Sequence, residues 1–106
     1  MDTIVKYVGI RHEGVCMVRR TELRKGVVIR MNEMTSVPAF DWGDAGDHDG
    51  AGQLALAILS DHLRDDLKAI RFRSAYRDAV IARLPQATWE LPAEEVERVV
   101  KELRVG

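Results

Sequence analysis

The stretch that most constrains the fold is a run of six apolar residues, LALAIL at 54–59. It predicts a helix from about residue 51 to 64 whose side chains are apolar all round, and such a helix must be enclosed by other parts of the chain. A chain of 106 residues is long enough to form one core and too short to form two. We therefore expect a single domain, residues 1–106, with this helix at its centre.

Residues 1–31 predict a small β-sheet. The stretches 3–10, 14–20 and 25–31 are rich in β-branched residues and are joined by short polar connections, a pattern typical of hairpins. So small an antiparallel sheet needs an apolar layer on one face. Residues 32–50 contain Pro, Gly and several Asp without periodicity, so we expect a long loop there.

Residues 51–104 predict the helical part that supplies this layer. After the central helix, a second helix is expected from about residue 65 to 84, with a broad apolar arc that includes Ile70 and Tyr76. Residues 87–91 are interpreted as a loop or a fourth short strand, and a last helix follows. The predicted fold class is α+β, with a three-stranded antiparallel N-terminal sheet covered by three helices.

Composition excludes several broad classes. The 16 basic and 17 acidic residues give a net charge of −1, which by itself indicates neither nucleic-acid affinity nor an acidic tail. The longest apolar run is too short for a membrane span, and the N-terminus lacks the order of a signal peptide. The single cysteine, Cys16, cannot form an internal disulfide. We expect a soluble, cytoplasmic protein that does not bind membranes.

The acidic part of the predicted loop resembles a metal-binding loop in composition but not in spacing. Asp47 and Asp49 precede Gly50, as in the start of a calcium loop. Ala45 stands at the first ligand position, however, and the closing glutamate would fall on Leu56 inside the apolar helix. The loop also contains no Lys or Arg, so it does not suit a phosphate group.

We interpret this acidic tip, Asp44, Asp47, His48 and Asp49, as a surface that contacts a partner. No metal or cofactor is predicted. The alternative is a small metal-dependent enzyme in which Asp47, His48 and Asp49 bind the ion, joined by Asp61 and His62 from the central helix.

Nucleophilic catalysis finds little support. The chain lacks a G-x-S-x-G motif, and its one Cys–His constellation is Cys16 with His12, four residues earlier across a predicted turn. No third orienting group accompanies them. We therefore predict no catalytic residues and a non-enzymatic protein.

A basic ridge on the second helix is the alternative contact site. Arg64, Lys68 and Arg71 recur at i, i+4 and i+7, which places them along one face of a helix where they could follow a phosphate backbone. The competing interpretation is a solvated helix face. Nucleic acid therefore remains a second candidate partner beside a protein.

Two further arginines, Arg73 and Arg77, lie within the apolar arc of the second helix. An arginine in such a place either extends its head to water or meets a carboxylate. We predict a structural bridge from one of them to Asp41, Asp44 or Glu90.

Several stretches together resemble a known family. FDWG at 40–43, GQLALAILSDHL at 52–63, YRDAVIARLP at 76–85 and WELP at 89–92 are similar to an uncharacterised small-protein family of bacteria and their phages and plasmids. The resemblance covers about residues 38–98. It also singles out Phe40, Trp42, Gly43 and Gln53, which we interpret as a structural anchor and helix entry. Arg73 and Arg77, from the apolar arc, are the other residues to which we assign a structural role. Members usually have a shorter Gly/Ser turn where this chain has DAGDHDGAG.

The resemblance implies a biological setting for the protein but assigns it no chemical activity. Such families are accessory proteins of mobile DNA, and phage proteins of this size often bind a host protein, including inhibitors of defence systems of the anti-CRISPR type. We therefore expect a small interaction protein that inhibits or modulates a host protein. The alternatives are a nucleic-acid-binding accessory protein and the metal-dependent enzyme.

Overall fold

The computed structural model describes residues 3–12, 15–38, 50–85 and 87–105. These residues form an α+β structure, as predicted, with an antiparallel sheet and three α-helices. In chain order the elements are β1 (Thr3–His12), β2 (Val15–Arg24), β3 (Val27–Pro38), α1 (Gly50–Leu63), α2 (Asp66–Ala79), a 3-10 turn (Ile81–Arg83), β4 (Trp89–Pro92) and α3 (Ala93–Val105).

The sheet has four strands in the order β3-β2-β1-β4, so the prediction of three strands is wrong. The fourth strand is the segment that the sequence left open as a loop or a short strand. It pairs antiparallel with β1, placing Trp89 opposite Gly9. Four residues are too few to show a strand periodicity, and the partner strand lies at the other end of the sequence.

The strands are also longer than predicted. β2 continues through residues 21–24, where a polar connection was expected. The chain reverses at Lys25 and Gly26, whose φ angles of 53° and 78° fit a two-residue hairpin turn. The expected loop 32–50 is wrong over residues 32–38, which continue β3 alongside β2. Pro38 closes this edge strand, where the missing N–H costs no ladder hydrogen bond.

The core lies between one face of the sheet and the helices. As predicted, α1 is apolar and enclosed: Leu54, Ala55, Ile58 and Leu59 are fully buried. They cluster with inward-facing strand residues such as Val18 and with residues of the other helices. None of the helices in the described ranges is long and apolar enough to cross a membrane.

The helices form two layers rather than one. α1 and α3 contact the sheet, whereas α2 packs mainly on α1 and α3. A sheet of four strands is roughly 19 Å wide, which accommodates two helices about 10 Å apart. The buried stripe of α2 is correspondingly narrower than the predicted arc. Ala69 and Tyr76 are buried, but Ile70 is 60% exposed, so its predicted place in the core is wrong.

Candidate functional site

The connection between α1 and α2 fixes how the basic ridge is presented. α1 ends at Leu63, and Arg64 takes a left-handed conformation, φ 54°, while its N–H donates to the Ser60 carbonyl at 3.0 Å. Asp65 then caps α2: its Oδ1 accepts the Lys68 backbone N–H at 3.1 Å. The two-residue junction leaves little freedom, so the start of α2 has a defined orientation on α1.

Two large apolar side chains stand on the exposed side of α2. Leu67 is 81% exposed and Ile70 is 60% exposed, one helical turn further along. Lys68 and Arg71 are also exposed, and with Leu67 and Asp65 they line a shallow cleft of about 360 Å³. We call the surface formed by Leu67, Lys68, Ile70 and Arg71 the α2 contact face.

The structure brings two of the three predicted ridge residues together at this cleft. Lys68 and Arg71 line it, whereas Arg64 belongs to the junction before the helix cap, with an exposed side chain. Asp65 and Asp66 stand at the same end of α2, where the helix dipole favours carboxylates. The three cations of the ridge are therefore partly balanced, and the local field is only weakly positive.

Sequence reasoning missed the apolar part of this face. It placed Ile70 in the core and gave Leu67 no role. The position of Leu67 was a signal that the sequence offered. Leu67 lies outside the apolar arc of its own helix, so a large apolar side chain occupies a position expected to face solvent. Aliphatic and cationic side chains side by side are a combination suited to binding.

A network of hydrogen bonds and ion pairs connects α1 to strands β1 and β2. The Tyr7 hydroxyl donates to Asp61 Oδ2 at 2.7 Å, and Arg20 Nε donates to the same oxygen at 3.0 Å. Arg20 also approaches Glu22 Oε1 at 3.4 Å, and Arg30 Nε lies 3.5 Å from the other Glu22 oxygen. Because Tyr7 is only 1% exposed, no substrate reaches its hydroxyl, so the network is structural.

Burial and the charges of this network shift the pKa values of Tyr7 and Arg20. Burial raises the pKa of Tyr7 well above its ordinary value, and the hydrogen bond and negative charge of Asp61 raise it further. Burial lowers the pKa of Arg20, but the carboxylates of Asp61 and Glu22 outweigh that effect and leave it raised. Tyr7 thus stays neutral and Arg20 stays charged across the physiological range.

Both tyrosines of the chain give a testable pH dependence. Burial raises the pKa of Tyr76 as well, with the Glu95 charge adding to it, while both phenols in the unfolded chain ionise near pH 10. A raised folded pKa contributes stability below the unfolded pKa, and this stability is lost as the pH rises. Above pH 10 we therefore expect the free energy of unfolding to fall by about 1.4 kcal/mol per pH unit for each tyrosine.

The measurement is a set of urea titrations between about pH 8 and 11, with tyrosinate absorbance followed in parallel. We expect tyrosinate to appear only as the protein unfolds. Tyr76→Phe should remove about half of the alkaline slope. Normal ionisation of both phenols near pH 10 in the folded protein would contradict the prediction.

The described contacts of Arg73 and Arg77 are made within the helical part of the chain. Arg73 Nε donates to the Gly52 carbonyl of α1 at 3.1 Å, and Arg77 Nε donates to Asp78 Oδ1 at 3.0 Å. Glu90 pairs with Lys6 at 2.9 Å and is not the partner that we expected. The other expected partners, Asp41 and Asp44, lie outside the described residues, so that part stays a prediction.

The predicted Cys–His constellation does not form. Cys16 is fully buried on the inner face of the sheet, opposite Arg11, whereas His12 pairs with Val15 and so points to the other face. Burial raises the pKa of the Cys16 thiol, and the opposing effect of the Arg11 charge is smaller. A buried, protonated thiol is a poor nucleophile.

Most of the acidic loop and of the predicted anchor lies outside the described residues: Phe40, Trp42, Gly43, Asp44, Asp47, His48 and Asp49. Gln53 is described, and its side chain is exposed in the first turn of α1. His62 is a proposed metal ligand on α1, and its Nε2 atom lies 3.3 Å from Glu97 Oε1 of α3. No group of three potential ligands suited to a metal ion occurs among the residues that the structure describes.

Comparison with known proteins gives one match. The model of a family of unknown function, DUF6166, matches residues 7–102. The chain belongs to this family. The match confirms the predicted resemblance at the level of an uncharacterised family, and it extends beyond residues 38–98 to include most of β1 and all of β2 and β3. Searches of the curated proteins and of the solved structures returned no match. The DUF6166 match therefore carries no assigned activity to this chain.

Proposed function

We propose that this DUF6166 chain is a non-enzymatic interaction protein that binds another protein through the α2 contact face. The observation that carries the proposal is the exposure of Leu67 and Ile70, 81% and 60%, beside the cleft that Lys68 and Arg71 line. Neighbouring exposed apolar side chains rimmed by charge are typical of protein-binding surfaces.

The energetics favour a protein partner with a mixed surface. Burying an exposed leucine or isoleucine contributes about 1.5–3 kcal/mol each, enough for two anchors to dominate a small interface. Lys68 and Arg71 flank these anchors and would steer the approach of carboxylates. The partner that fits best presents an apolar pocket bordered by Asp or Glu.

Nucleic acid binding is the second candidate, and the observation in its favour is the exposed ridge of Arg64, Lys68 and Arg71. Three phosphate contacts would give weak binding that falls steeply with salt. Against this candidate, Asp65 and Asp66 stand at the same end of the ridge, and the apolar side chains beside it are aliphatic, whereas bases stack on aromatic rings.

The mobile-element context forms part of the same proposal. It rests on the resemblance to a family of bacterial, phage and plasmid proteins, and it makes the partner a host protein, including components of defence systems. A cytoplasmic location follows from that context and agrees with the one cysteine, a buried free thiol. The genes next to this one are the first test, because defence or phage genes there would identify partners to assay directly.

Matched variants separate the two candidate functions. Proteins captured from the host lysate by the immobilised chain are compared between wild type, Leu67→Ser and Lys68→Glu, and each identified partner is then titrated. We expect Leu67→Ser to weaken its binding about tenfold or more, because an apolar anchor is lost. Lys101→Glu makes the same charge change at an exposed residue of α3, and this variant should bind the partner as wild type does.

Retention on heparin and binding to duplex DNA test the alternative. If the ridge binds phosphates, Arg64/Lys68/Arg71→Ala abolishes retention and Leu67→Ser leaves it unchanged. If the proposal is correct, heparin retention is absent at moderate salt. Equal protein binding by wild type, Leu67→Ser and Lys68→Glu would overturn the proposed contact face.

A further inference from the structure

The face of the sheet that points away from the core is unusually apolar. Side chains alternate between faces along each strand, and the register places the outward-facing positions of β1, β2 and β3 side by side. A solvated face of an antiparallel sheet normally carries polar residues. Here the outward positions include the apolar residues Ile4, Val8, Ile10, Met17, Leu23, Val28 and Met31.

The exposure of these side chains shows that the described part of the chain leaves this face open. Ile4 is 59% exposed, Met31 is 51% exposed and Val28 is 48% exposed. Met31 and Val28 line a cleft of about 270 Å³ together with other residues of this face, including Val8 and Thr21. We call this surface the outer sheet face.

We propose that the outer sheet face is the dimer interface of this chain, packed against the same face of a second copy. The inference is independent of the proposed function, because the α2 contact face lies on the opposite side of the helical layer. Two sheets packed face to face are a standard way to bury a second apolar face, and two-fold dimers are the commonest assemblies of identical chains.

The charges on this face favour a neutral partner over a charged one. Among the described residues, the cations Lys6 and Arg19 of this face are matched by two carboxylates, Glu33 and Glu90, which the register places on the same face. Lys6 Nζ already binds Glu90 Oε1 at 2.9 Å. Since the face neutralises its own charge, a second copy meets no net repulsion, whereas a polyanion gains no attraction.

The area is consistent with a specific dimer. Three strands of about ten residues cover roughly 14 by 33 Å, and with the short β4 beside them the flat footprint is about 500 Å² per copy. The side chains roughen this surface, so the accessible area of two copies approaches the roughly 1,200 Å² at which stable specific interfaces begin. The Arg19 guanidinium already folds over the face, with its NH1 atom 3.8 Å from Met31 Sδ.

Sedimentation equilibrium over about 1–300 µM protein tests the proposal, because the dimer fraction and the melting temperature of a dimer both rise with concentration. We expect wild type to reach the dimer mass. Met31→Lys and Val28→Lys should raise the dissociation constant at least about tenfold, since each would bury an unpaired charge in the interface. Both side chains are half exposed in one copy, so each variant should keep the wild-type circular dichroism.

Leu67→Glu is the matched control, with a charge placed at an exposed apolar residue of α2, and it should dimerise as wild type does. If one of the two sheet variants fails to fold, the other still decides the result. A wild type that stays at the monomer mass over the whole range overturns the proposal. So does a dimer that survives both sheet variants, or one that Leu67→Glu disrupts. Because partner capture depends on Leu67 and dimerisation does not, each proposal can fail alone.

Discussion

Gly9→Ala is expected to lower the free energy of unfolding by about 3 kcal/mol, at the upper end of the cost of overpacking a core. Gly9 faces inward on β1, directly opposite Trp89 of β4. A Cβ atom at this position would overlap the indole ring of Trp89, which is itself buried. Moving the ring would disturb the pairing of β4, so the fold cannot accommodate the added methyl group without losing stability. Thermal unfolding monitored by circular dichroism should show a drop of about 15 °C.

Two comparisons isolate the steric cause. Gly26→Ala adds the same methyl group where open space surrounds it, so its cost should be only the roughly 1 kcal/mol of a positive φ angle. Trp89→Leu in the Gly9→Ala background should cost less than in wild type, since the smaller side chain frees the space that the added methyl group needs. Additive effects of Gly9→Ala and Trp89→Leu would contradict the explanation.

Removing the carboxylate of Asp61 should have the second largest effect. Asp61→Ala leaves the Tyr7 hydroxyl and the Arg20 guanidinium without their shared acceptor, beneath α1. Breaking a fully buried pair costs about 3–5 kcal/mol, and because Arg20 and Asp61 are partly exposed we expect about 2–3 kcal/mol. Urea unfolding at pH 7 measures the difference.

The surface pair of Arg77 and Asp78 provides the matched control. Asp78→Ala removes a carboxylate from an exposed ion pair of the same 3.0 Å length, and its cost should stay below about 1 kcal/mol. Tyr7→Phe should cost about 1 kcal/mol, and combining it with Asp61→Ala should cost less than the sum. Equal losses for Asp61→Ala and Asp78→Ala would show that the network contributes nothing beyond a surface contact.

Local patterns predicted the elements whose signal lies within a short stretch of sequence. The all-round apolar run at 54–59 identified α1 as the buried helix, and β-branched stretches located the first three strands. The sequence left the fourth segment open between a loop and a short strand, because four residues carry no periodicity and their partner, β1, lies eighty or more residues away along the chain. A pairing of that kind depends on the assembled fold and not on local propensity.

The candidate sites depended still more on non-local geometry. Cys16 and His12 looked like neighbours along the sequence, but the hairpin register places Arg11, and not His12, opposite Cys16. Ile70 fell inside a broad apolar arc, yet α2 buries only a narrow stripe because it rests on other helices. The same arrangement exposes Ile70, the one residue of the α2 contact face that periodicity assigned to the core.

The pairing of β1 with β4 also bears on how the chain is made. During synthesis β1, β2 and β3 emerge first, and their hairpins depend only on local contacts. The free edge of β1 must then wait for Trp89, which arrives after both α1 and α2. Until residues 89–92 leave the ribosome, the Trp89 ring does not cover Gly9, and the backbone edge of β1 is free to pair with other strands. The interval between the first strand and the fourth is therefore when this chain is most exposed to misassembly.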